Sequence, residues 1–220
     1  MKGIYYIEII LLLVGCSSSI EKQLASDPTI AAVFDKSEIK DLAVIVDFFN
    51  RHICVTHKND VEKCYECFFD KMIACAKAGN IDLGILVQEK QKFFSLITET
   101  KFSSVWGINR TRYPTIQGDA DSIEIKSIYL RGKYVTFLKE FGKDNAIVAQ
   151  YFDSFSRVGD ISPICCSIIL NESKHLNMKD IRSQFFIAMH YLTEDFNGEE
   201  VQKRMRNVTY KDFIETILKE

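Results

Sequence analysis

The run NMKDIRSQFFIAMHYLTEDFNG, residues 177–198, decides the fold class. Ile181, Phe185, Ala188, Met189, Leu192 and Phe196 recur at steps of three and four, the period that brings side chains onto one face of an α-helix. Asn177 stands before the run and Gly198 after it, where start and stop residues belong. On this stripe His190 and Glu194 fall to one side, four residues apart, and read as a solvated polar pair. The sharper reading of the same pair is a metal or general acid–base site, because side chains at i and i+4 reach a common ligand.

The same period spreads outward along the chain. Ile39, Leu42, Ala43, Val46, Phe49 and Ile53 form a stripe with Asp35 and Glu38 spaced as a capping box before it. A helix from about Asn59 to Ala78 places Val61, Cys64, Tyr65, Phe68, Met72 and Ala76 on one face, with Gly79 as its stop. Leu83, Leu86, Phe93, Phe94 and Ile97 give a third. Ile125, Ile128, Val135, Leu138 and Phe141 predict another that ends at Gly142, and Ile147, Val148, Tyr151, Phe152 and Phe155 one that ends at Gly159. Ile164 to Leu170 reads either as a short strand or as a helix opened by Ser162-Pro163. A final helix follows Thr209. Residues 102–121, punctuated by Ser103, Ser104, Gly107, Pro114, Gly118 and Asp119, show no clear period and predict an irregular segment. The expected fold is all-α, a bundle or stack of helical hairpins with about seven to nine helices.

Composition agrees. The chain has 220 residues, 47% of them hydrophobic and 26% charged, with a net charge of −2. These values suit one folded domain with a real core and exclude a disordered or collagen-like chain. Near-neutral charge removes any bulk electrostatic reason to bind nucleic acid. Sixteen Phe and nine Tyr point to an aromatic-rich core, since each buried ring removes about 150–250 Å² from water. The run Lys203, Arg204 and Arg206 reads as a solvated helix face.

The N-terminus is read separately from the fold. Lys2 precedes an apolar run from Ile9 to Val14, too short to span a membrane, which takes about 20 residues. It ends in Leu13-Val14-Gly15-Cys16. That closing motif resembles the lipobox of bacterial lipoproteins, and Glu8 at the edge of the run departs from the pattern. The resemblance implies a signal peptide over 1–15, lipidation of Cys16 by acyl chains such as palmitate, and a bacterial envelope location. Ser17 resembles the outer-membrane sorting default. Residues 16–27 then read as a polar, lipidated tether, and 28–220 as the single domain, opening with Ser26-Asp27-Pro28 as a cap and first-turn proline.

Six further cysteines remain: Cys54, Cys64, Cys67, Cys75, Cys165 and Cys166. In an exported protein they are disulfide candidates. Cys67 and Cys75 lie eight residues apart on one helix, hence about 12 Å, too far to bridge. Cys54 and Cys64 flank a hairpin and can clip it. A link from Cys67 or Cys75 to Cys165 or Cys166 would close a loop of roughly 90–100 residues, with about 4.7 kcal/mol of chain-entropy stabilisation. Redox use of Cys64-Tyr65-Glu66-Cys67 lacks a βαβ setting, and zinc binding with His52 and His57 matches no ligand spacing. No metal or cofactor is expected.

The remaining candidates are weaker. Trp106, Arg110, Arg112 and Tyr113 combine flat stacking surface with forked donors, which suits a carboxylate- or sugar-binding loop. The bland reading makes Trp106 a core plug. Glu99 and the pair His190 and Glu194 are the catalytic candidates. The sequence carries no Gly-x-Ser-x-Gly turn, no zinc-protease helix and no phosphate-cradling loop. These features predict a lipid-anchored, non-catalytic binding or accessory module for an envelope protein, peptide or glycan. The alternatives are a glycan hydrolase with paired carboxylates and a structural or assembly subunit.

Overall fold

The computed structural model describes residues 19–57, 60–78, 83–97, 104–114 and 120–205, with the backbone alone for Val87, 108–114, 120–126 and 196–205. The chain is predominantly helical, as the periodicity predicts. In order come α1 (described over 19–26), α2 (Pro28–Val33), α3 (Lys36–Ile53), α4 (Val61–Lys77), α5 (Val87–Leu96), β1 (Trp106–Pro114), β2 (Ala120–Ile128), α6 (Lys133–Phe141), α7 (Ala146–Val158), α8 (Pro163–Glu172) and α9 (Ile181–Met205).

Local chemistry sets the boundaries. Asp35 Oδ1 accepts from the amides of Ser37 and Glu38 at 2.8 and 2.9 Å, while Glu38 Oε2 accepts from the Asp35 amide at 2.7 Å. This is the capping box read from the sequence, and it answers the donors that a helix start leaves open. Asp27 caps α2 through the Ile30 amide, with Pro28 at the first helical position. Ser162 and Pro163 open α8, which resolves Ile164–Leu170 as helix rather than strand. Gly159 ends α7 with φ +81°, a backbone region that side chains disfavour.

Three expectations are corrected. The tether predicted over 16–27 is helical from 19 to 26, and Leu24 is fully buried, so the folded body starts earlier than the polar composition implied. The irregular segment is a β-hairpin: β1 and β2 pair antiparallel, with Trp106 opposite Ile128 and Pro114 opposite Ala120. The helix predicted from Ile125 therefore does not exist before Lys133. Residues 129–132 make the turn between β2 and α6, with the Gly132 amide donating to the Tyr129 carbonyl at 2.7 Å. A Cβ on Gly132 would sit 2.8 Å from the carbonyl oxygens of both Ser104 and Tyr129, so glycine is required for that approach. Finally, α9 continues beyond Gly198 to Met205. The helix predicted after Thr209 lies outside the described residues.

α9 is the axis of the molecule. Of the residues from Ser183 to Thr193, all are buried. Phe185 meets Phe34, Tyr134 and Phe137; Phe186 meets Tyr151; Tyr191 meets Phe49 and Phe68. Those partners belong to α6, α7, α3, α4 and the residue that ends α2, so one helix carries rings to every side of the core. A helix surrounded in this way needs apolar residues all round rather than on one stripe. Its entry is fixed by Arg182, which pairs with Asp180 at 2.8 Å and Asp27 at 3.4 Å and lies 4.7 Å over the Phe141 ring. Among the described residues no helix is long and apolar enough to cross a membrane.

Candidate functional site

Trp106 is not a surface binder. Its ring is fully buried at the hairpin base, edge-on to Phe93 and Phe94, and its Nε1 donates to Thr193 Oγ1 at 2.8 Å. A buried indole whose one donor is met by α9 serves the core. Arg110, Arg112 and Tyr113 continue β1 opposite Glu124, Ser122 and Asp121, and their side chains lie outside what is described. Cys16 and Glu99 also lie outside the described residues.

The cysteines divide. Cys54 and Cys64 form a disulfide with Cα atoms 5.0 Å apart, tying the end of α3 to the first turn of α4. The expected bridge between the halves is not made: Cys67 is exposed, Cys75 and Cys166 are half-buried, Cys165 is buried, and all four are free thiols. Cys165 Sγ lies 3.4 Å from Ser162 Oγ and 3.6 Å from Ser154 Oγ, turned towards α7 rather than α4. Among the described residues no group of His, Cys, Asp and Glu is placed to hold a metal ion. His52 instead donates from Nε2 to the Leu83 carbonyl at 2.9 Å.

The polar pair on the decisive helix is not solvated. His190 is fully buried, its Nδ1 3.1 Å from Tyr151 Oη, and its Nε2 has no partner. Burial pushes its imidazole down to about 3, so the ring is neutral. The hydroxyl of Tyr191 is likewise buried without a partner. One turn on, Glu194 is half-buried, and burial pushes its carboxyl up to about 7, with the charge of Asp160 adding to the effect.

Glu194 lines an open cleft of about 450 Å³ between the end of α4, the start of α8 and α9. Ala76, Ile161, Pro163 and Leu170 supply apolar wall, and Ser162, Cys166, Ser167 and Asn171 supply polar atoms. The recess is thus an open one with a largely apolar wall and a few polar groups. Cys166 is no nucleophile here: burial, then Glu194 and Cys165, push its thiol up to about 12. The chemistry the cleft offers is therefore a single carboxylate that exchanges its proton near neutrality.

The sequence had singled out both Glu194 and Cys166 but for different reasons, one as half of a helix-surface pair and the other as a staple. Their meeting depends on α8 packing against both α4 and α7, which no local pattern encodes. In comparisons with protein-family models, curated proteins and solved structures, the chain matches none.

Proposed function

We propose that the protein is a lipid-anchored bacterial envelope lipoprotein that acts as a non-catalytic binding module for an envelope protein, peptide or glycan. The observation that carries the binding reading is the Glu194 cleft: an open, largely apolar recess with one carboxylate among the described residues and a Cys166 thiol held protonated. The anchor reading rests on the lipobox resemblance at Cys16. The described helix begins at residue 19, so an extended chain from Cys16 spans at most about 10 Å. Acylation at Cys16 would therefore hold the start of α1 close to the membrane surface and raise the domain's effective concentration towards membrane-bound partners. The experiment is fractionation of Cys16→Ala beside the wild type. The variant should stay folded and leave the membrane fraction; retention in that fraction contradicts the anchor.

A second reading, a glycan hydrolase, is favoured by the carboxyl of Glu194, whose midpoint near 7 suits a general acid. It needs a second carboxylate across the groove, about 5–9.5 Å away. Among the described residues Glu194 is the one carboxylate lining the cleft. Incubation with isolated cell-wall glycan separates the two readings. Release of reducing ends by the wild type, lost in Glu194→Gln, would replace the binding module with the hydrolase.

A further inference from the structure

We propose that the cleft between α4, α8 and α9 binds a primary ammonium group carried on an apolar chain, with Glu194 as its counter-ion. This rests on the reading of the cleft as a binding site and is independent of the anchor.

Glu194 lacks the partner that comparable acids have. Four acids set into the described body have cations: Asp195 has Lys90 at 2.9 Å, Asp180 has Arg182 at 2.8 Å, Asp47 has Arg51 at 2.8 Å and Glu38 has Lys133 at 2.6 Å. Glu194 has no hydrogen bond and no ion pair among the described residues. The titratable groups that act on it or feel its charge are Asp160 before α8, Cys166 on α8, Tyr151 on α7 and Tyr191 on its own helix. None of them is a cation. A carboxylate in an apolar recess without a counter-charge is held at a cost, and a ligand that brings the missing positive charge removes that cost.

The rest of the recess narrows the ligand class. With the Cys166 thiol protonated, the pocket wall holds one negative charge, which matches a monocation. Asp160 adds a second negative field and disfavours anions. The flanking Ala76, Pro163 and Leu170 offer apolar surface to a hydrocarbon chain behind the charged head. A neutral alcohol would fill the same space and leave the charge unmatched. The shared chemistry is that of a free alkylamine or of a lysine side chain presented by a peptide.

Calorimetric titration of the full chain with hexylamine, hexanol, hexanoate and Nα-acetyl-lysine amide tests this. At about pH 8.5, where Glu194 is charged, hexylammonium should bind at least about tenfold tighter than hexanol, and this advantage should shrink about tenfold towards pH 5.5 as the carboxyl protonates. Glu194→Gln should bind the amine and the alcohol equally. Leu170→Trp, which fills the recess from the apolar wall, should weaken both, and it decides the matter together with the pH profile if the Gln variant fails to fold. Tighter binding of hexylamine than of the lysine amide supports a free amine as ligand; the reverse supports a lysyl side chain. Equal affinity for amine and alcohol at the higher pH, or preference for hexanoate, overturns the ammonium assignment. Binding of none of the four overturns both that assignment and the reading of the cleft as a binding site.

Discussion

Two sets of polar groups on α9 are treated in opposite ways. Thr193 Oγ1 accepts from Trp106 at the hairpin base and donates to the Met189 carbonyl at 2.7 Å, and Asp195 pairs with Lys90 of α5. His190 Nε2 and Tyr191 Oη, by contrast, are unpartnered, and Glu194 stands without a cation. These five residues lie within one and a half turns of the same helix. Hydrogen bonds and an ion pair fix the first set in one arrangement, whereas the second keeps open groups that cost stability in the free protein. Of the open set, Glu194 is the member that lines the cleft, where a ligand has something to supply.

That contrast can be broken from its closed set first. Trp106→Ala should lower stability by about 3–5 kcal/mol, because it removes a fully buried ring and the hydrogen bond that the ring gives to Thr193. Urea unfolding measures it, and a loss below about 1 kcal/mol would mean that the hairpin base is not part of the core. Lys90→Ala should cost about 3 kcal/mol, the usual penalty for leaving one member of a buried pair behind.

A control away from α9 comes next in size. Reduction of the Cys54–Cys64 bridge should cost about 2–3 kcal/mol for so short a loop. In denaturant, Cys16→Ala should expose four alkylatable thiols before reduction and six after it. Six before reduction would remove the bridge, and fewer than four would restore a link between the halves.

The open set gives smaller, pH-dependent effects. The carboxyl of Glu194 is raised from its ordinary 4.5 to about 7, so its contribution is full below 4.5 and is lost as pH rises through 7. His190 is lowered from 6.5 to about 3, so its contribution is present above 6.5 and is lost as pH falls. Between 4.5 and 6.5 the two slopes oppose one another. Glu194→Gln should therefore gain on the wild type as pH rises from 4.5 to 7, by about 1–3 kcal/mol in all. A pH-independent difference in urea midpoints would show that the carboxyl titrates normally. Tyr191→Phe, which removes a buried hydroxyl that has no partner, should change stability by less than about 0.5 kcal/mol or raise it. A loss above about 1 kcal/mol would reveal a partner for that hydroxyl.

Much of the helical framework was legible because caps and periodicity are local. Asp35 with Glu38, Asp27 with Pro28 and Gly159 act as their residue types predict. The hairpin was not legible, since Ile125 and Ile128 fit a helical step equally well. Their true parity appears only when Ile128 is paired with a buried Trp106. His190 was misplaced by treating α9 as a one-striped surface helix. The run Phe185-Phe186-Ile187-Ala188-Met189-His190-Tyr191-Leu192 has a single strongly polar residue, and that composition already signals burial all round. Glu194 was named by the sequence, but its cleft is made by segments more than a hundred residues apart, from Ala76 to Glu194. No spacing rule reaches across such a distance.

Whether α9 leaves Glu194 open for a ligand depends most directly on the state of its carboxyl. Carbon-13 NMR of the Glu194 side-chain carboxyl, followed through a pH titration of the ligand-free protein, reads it residue by residue. The structure predicts a midpoint near 7. A midpoint at the ordinary glutamate value of 4.5 would mean that Glu194 is solvated or paired, and the contrast between the two sets of polar groups would fall with it.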